Sequence, residues 1–130
     1  MPSRADPDAE ATATRVAHAF VDAFNARDDA AERECFNFPH VRIASGRVLV
    51  WDTPEDFRTP FDRLAEVEGW GRSTLDEAEP VHSTKDKVHL AVTFSRYHPD
   101  GERYAIHHAM WIVTNVEGHW GIQARSSYAP

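Results

Sequence analysis

The sequence predicts an α+β domain in which three N-terminal helices pack on an antiparallel meander. Three observations carry this reading. Val16, Phe20 and Phe24 recur every four residues, with Ala13, Ala17 and Val21 beside them, which makes one apolar helical stripe. The second half divides into strand-like runs separated by short turn signals. The chain has 130 residues with 42% hydrophobic and 27% charged content, the size and composition of one globular domain.

Residues 1–8, with Pro2, Ser3, Asp6 and Pro7, read as a flexible leader, and 9–130 as a single domain. The first helix spans about Ala9 to Ala26. A second, Asp28 to Phe36, takes Asp28 or Asp29 as its N-cap and is stopped by Pro39. A short hairpin follows, Val41 to Ala44 and Arg47 to Trp51 around Ser45-Gly46. Thr53-Pro54-Glu55-Asp56 then opens a third helix, since Thr caps, Pro suits the first helical position and acids favour the dipole. Phe57, Phe61 and Leu64 form its stripe, and it ends near Gly69.

The meander comprises Arg72 to His82, Lys87 to His98, Glu102 to Asn115 and His119 to Tyr128. Pro99-Asp100-Gly101 and Val116-Glu117-Gly118 read as three-residue hairpin loops with glycine in the left-handed position. That register pairs Val92 with His108, Leu90 with Met110, Met110 with Ala124 and His108 with Ser126. One face then collects Val88, Leu90, Val92, Met110, Ile112 and Ile122, together with His108 and Ser126. The other face carries Trp111 among Thr93, His107, Gln123 and Arg125. A tryptophan on a solvated face suggests a homodimer contact; cover by neighbouring long side chains is the other reading.

The formal net charge is −7, which disfavours nucleic acid and anionic membrane surfaces as partners. The single cysteine, Cys35, excludes an internal disulfide. Met1 to Arg15 holds no apolar run of the signal-peptide kind, and no window approaches the ~20 apolar residues of a membrane span, so a cytoplasmic protein is expected.

Phe20-Val21-Asp22-Ala23-Phe24-Asn25-Ala26-Arg27-Asp28, Val92-Thr93-Phe94 and Gly118-His119-Trp120-Gly121-Ile122 occur in the order helix, sheet, sheet. This arrangement resembles the nuclear transport factor 2-like superfamily from about Ala9 to Tyr128, and within it the SnoaL-like, polyketide-cyclase-like branch. The resemblance implies a cone: a curved sheet and helices around a mostly apolar pocket. It implies no activity, because the fold hosts enzymes and binding domains alike. Aligned with the steroid-isomerase branch, the three functional positions fall on Ala44, Phe20 and Met110, none of which exchanges a proton.

The expected pocket holds Phe20, Phe24, Val92, Tyr104, Met110, Ser126 and Tyr128, with Arg96 toward one end and His40 and Arg42 at the mouth or on ordinary surface. His108 is either a neutral general base or a core histidine satisfied by Ser126. Trp51 and Trp70 either line the rim or close the core. Neither a metal ligand set nor a cofactor motif is present: His107 and His108 point to opposite faces, and no inner carboxylate or cysteine joins them. Two functions follow from the sequence. One is a small-molecule pocket, with possible acid/base chemistry on an apolar or polycyclic metabolite; the other is a non-catalytic dimerisation or scaffold domain.

Overall fold

The computed structural model describes residues 5–130; the expected leader residues 1–4 lie outside it. The helix α1 runs Pro7–Asn25, two residues earlier than expected, because Asp6 caps it by accepting from the Ala9 amide at 3.0 Å and Pro7 occupies the first turn. The short α2, Asp29–Glu34, is capped by Asp28. β1 then covers Phe36–Ala44, so the chain leaves the helix before Phe36 and passes through Pro39 as a strand. β2 is Arg47–Trp51.

The third helix is broken. Pro54–Asp56 makes a single 3₁₀ turn; Phe57 returns to extended backbone, and Pro60 caps α3, Phe61–Arg63. Pro60 lacks an amide proton and pushes Thr59 out of the helical region, so one helix cannot bridge the two turns. α3 continues as a π-turn, Leu64–Glu68, closed by Gly69 at φ 72°.

The meander is β3 (Arg72–Ser83), β4 (Lys87–Tyr97), β5 (Arg103–Val116) and β6 (His119–Ser127). The sheet order is β2-β1-β6-β5-β4-β3, with every pairing antiparallel except β1 on β6. The sheet is therefore mixed, curled and unclosed, and the α1 face with Ala13, Ala17 and Phe20 fills its concave side against Leu90, Val92, Trp111 and Val113.

The β4–β5 loop is the expected three-residue one: the His98 amide donates to Glu102 O, and Gly101 sits at φ 94°. Immediately beyond it, however, Tyr97 pairs with Arg103 and Arg96 with Ala105, which leaves Tyr104 as an extra residue. This bulge moves the register by one and exchanges the faces of β5. Leu90 pairs with Trp111 and Val92 with Ala109. The β5–β6 turn is also shorter than expected. Val116 pairs with His119 across Glu117-Gly118, both at positive φ, the geometry of a two-residue type I′ hairpin. A second bulge at Gln123 then sets Trp111 opposite Arg125 and Met110 opposite Ser126.

The expected faces of β5 are thus reversed. Trp111 is 4% exposed in the core, so it offers no dimer contact, whereas His108 and Ser126 are exposed on the convex face. Trp111→Ala should lower the unfolding free energy by about 3–5 kcal/mol, as loss of a large core aromatic does. His108→Ala should stay within about 0.5 kcal/mol. Urea denaturation of both variants checks the register, and the reverse ranking would contradict it.

Candidate functional site

Two adjoining chambers open on the concave side. The inner one is bounded by Phe20 and Phe24 of α1, by Phe94 and Trp111 of the sheet, and by Ser73 and Ser127; the outer one by Trp51, Phe57, Thr59 and Leu64. Arg42, Arg96, Arg125 and Phe24 line both. The inner chamber holds about 50 Å³ of free space and the outer about 170 Å³.

The strand pairings bring the arginines together. Arg42 on β1 and Arg125 on β6 are register partners, so their side chains leave the same face side by side. The Arg125 guanidinium lies over the rings of Phe36 and Phe20, at 5.0 and 5.2 Å to the centroids. Its Nε donates to His40 Nε2 at 2.9 Å. His40 is fully buried, and its Nδ1 lies 2.8 Å from Ile122 O. A carbonyl only accepts and an arginine only donates, so the proton must sit on Nδ1 and the ring is neutral. Burial, and then the Arg125 charge, push the His40 pKa down to about 2. Burial, and then the Arg42 charge, bring Arg125 down to about 9. Burial lowers Arg42 as well, reinforced by Arg96.

Arg96 is 7% exposed and donates through Nη1 to both oxygens of Glu68, at 2.8 and 3.0 Å. The π-turn delivers Glu68 to this position, and Tyr104, the bulge residue, donates to the same carboxylate at 2.9 Å. Burial and the bond to Glu68 push Tyr104 up to about 12.

The floor of the outer chamber is strapped to α2. Asp29 accepts from the Thr59 amide, Arg33 donates to Phe57 O at 2.9 Å, and the Thr59 hydroxyl donates to Glu32 at 3.0 Å. Glu32 is 0% exposed, and burial pushes it up to about 7 against the pull of Thr59 and Arg125.

The residues expected in the pocket are distributed otherwise. Phe20, Phe24 and Arg42 line the chambers. Val92 is buried in the core, His40 lies wholly buried behind Arg125 rather than at a mouth, and Tyr128 is 87% exposed. Met110 and Ser126 pair on the convex face, and His108 there faces Thr93, whose hydroxyl is 3.2 Å from its Nδ1. His108 and Ser126 are therefore not a pocket pair, because the Tyr104 and Gln123 bulges turn both outward. Trp70 is fully buried against Phe24 and Phe61, closing the core, whereas Trp51 lines the outer chamber. Among the described residues no group of His, Cys, Asp or Glu could hold a metal.

No family model matches the chain, and no curated protein matches its sequence. Solved structures do. An NTF2-like protein of unknown function from Pseudomonas putida superposes with a TM-score of 0.74 at 15% identity, over 98% of this chain and 90% of that one. The fold is NTF2-like. A cystatin-like-fold protein of unknown function from Nostoc punctiforme gives 0.73 at 12% identity, over 90% and 87% of the two chains. A ketosteroid isomerase-like protein from Erwinia carotovora gives 0.64 at 20% identity, over 92% and 96%. These likenesses establish the NTF2-like architecture and single out no branch within it.

The buried acid and the buried histidine of the site have opposite pH signatures. Between 4.5 and 7, folded Glu32 holds more proton than the unfolded chain, so its contribution to stability falls as pH rises. Between 2 and 6.5, folded His40 holds less, so its contribution rises. The two oppose each other from 4.5 to 6.5. In Glu32→Gln the first is removed. The stability of the variant minus that of the wild type should then climb between pH 4.5 and 7, by at most about 1.4 kcal/mol per unit, and level off above. Urea unfolding across that range measures it; a flat difference would mean that Glu32 titrates normally in the fold.

Proposed function

We propose that this NTF2-like domain binds a small organic molecule in the paired chambers and does so without turnover. The observation that carries the reading is the cavity itself, a concave, aromatic-walled space with a few convergent polar groups, the usual form of a ligand site. The free space is smaller than the roughly 300 Å³ at which sites for drug-sized ligands begin, which favours a single-ring compound over a polycyclic one. The lack of turnover rests on the lining. Its side-chain polar groups among the described residues are arginines, Ser73, Ser127, Thr59 and the indole N–H groups of Trp51 and Trp111, none of them a general base near neutral pH. Acid/base chemistry through His108 would require a substrate on the convex face.

Backbone amide shifts during titration with neutral and charged single-ring compounds test the pocket. They should cluster on Phe24, Leu49, Trp51 and Phe57, and Leu49→Trp, which fills the outer chamber, should abolish them. Shifts that map to another surface, or no binding by any compound, would reject the reading.

A homodimer is the second part of the proposal, through a face other than that of Trp111. The helices all lie on the concave side, and the convex face of β2, β1 and β5 presents Val48, Val50, Ile43 and Ile106 at 65, 54, 50 and 50% exposure, beside Met110 and Ile112. A second copy is the favoured occupant because an apolar, weakly charged face can be buried against itself about a twofold axis. The lone buried thiol of Cys35 fits a reducing compartment and supports a cytoplasmic setting. No helix among the described residues is long and apolar enough to cross a membrane. Light scattering after gel filtration should give twice the 14.7 kDa chain mass, falling to a folded monomer in Ile43→Lys/Val48→Asp. A wild-type monomer at every concentration would reject the dimer.

A further inference from the structure

Among the described residues every charged side chain lining either chamber is an arginine: Arg42, Arg96 and Arg125 in both, with Arg58 added in the outer one. Composition does not explain this, since the chain has 21 acidic against 14 basic residues. Nor does internal pairing. Among the described residues the one ion pair is Arg96 with Glu68. Among the described residues Arg42 donates to Ala129 O and to Pro130 O, at 3.3 and 3.2 Å, and to no carboxylate side chain. Arg125 donates through Nε to neutral His40, and among the described residues neither Nη atom has an acceptor. Arg96 Nε is buried and has no partner among the described residues, on a side chain that is 8% exposed and lines both chambers. A buried, unpaired guanidinium nitrogen such as Arg96 Nε is costly, and an acceptor-only ligand among these buried and half-buried guanidinium groups would offset that cost.

We infer that the chambers take an organic anion, a monocarboxylate on a single aromatic ring or short arylalkyl body, with Arg125 and Arg42 receiving the carboxylate. This inference rests on the proposed pocket and names its ligand class. The planar guanidinium presents paired N–H groups that match the two oxygens of a carboxylate. The apolar body would lie in the outer chamber, against Phe24, Leu49, Trp51 and Phe57. The outer chamber, about 170 Å³, compares with the roughly 150 Å³ that holds one benzene ring, whereas the inner one, about 50 Å³, is too small for a ring.

Calorimetric titration of the full chain with 3-phenylpropionate and with its neutral amide, 3-phenylpropanamide, tests this directly. The carboxylate should bind at least tenfold tighter than the amide. Arg42→Met should remove most of that preference, and Arg125→Met should do the same. Arg125 is bonded into the core through His40, so Arg42→Met keeps the test open should Arg125→Met fail to fold. Equal binding of acid and amide by the wild type, or a preference that survives Arg42→Met, would overturn the anion inference and leave the pocket standing. Binding of neither compound would overturn both.

Discussion

The parallel seam between β1 and β6 is the contact on which the site depends. The meander β3–β6 is joined by local hairpins, whereas β1 reaches β6 from the far end of the sequence and adds the edge that carries Arg42. At this seam Gly121 comes so close to Phe36 that a Cβ would lie 2.5 Å from the Phe36 carbonyl carbon, so the approach excludes a side chain. The Ile122 amide donates to Cys35 O at 2.7 Å, and Ile122 O accepts from His40 in return. The same seam places Arg42 beside Arg125. Fold closure and the pairing of two like charges are thus one structural event.

That pairing explains the electrostatic design around it. Two guanidinium groups cannot be neighbours in a partly dehydrated space without compensation. A charged histidine at position 40 would add a third cation, whereas the neutral ring is held as an acceptor by its bond to Ile122 O. The faces of Phe20 and Phe36 supply the remaining stabilisation of Arg125 that the protein offers. Glu32 contributes an attractive charge only when ionised, and its burial opposes ionisation. What remains is an excess of positive charge directed at the chambers, which the fold tolerates rather than neutralises.

The fold class was legible because it rests on signals longer than any local error. The α1 stripe and the glycine loops place the first helix and the four meander strands within a few residues, whereas the third helix is broken and β1 starts at Phe36 rather than Val41. The register was not, and the reason is specific to β5. Ile106, Met110 and Ile112 alternate with Ala109, Trp111 and Val113, so either face reads as apolar and internal consistency cannot choose between them. The residues that decide, Tyr104 and Gln123 as bulges, carry no glycine to announce them. Arg125 fell on the outer face for this reason, and His108 on the inner one. A useful warning was present in the choice between them: an exposed tryptophan is a rarer outcome than an exposed histidine.

The two apolar faces of β5 also connect the site to assembly. A strand that must bury one face in a monomer needs alternation of apolar and polar residues, and β5 lacks it. Retaining Ile106, Met110 and Ile112 outside has a cost in solubility unless something covers them. A second chain on the convex side would stiffen β1, β5 and β6 from behind. Those are strands that hold Arg42, Trp111 and Arg125 in place. Fixing guanidinium groups before a ligand arrives lowers the ordering cost of binding. The apolar exterior and the cationic interior can then be two sides of one requirement, a sheet rigid enough to keep unpaired charges aimed at an empty space.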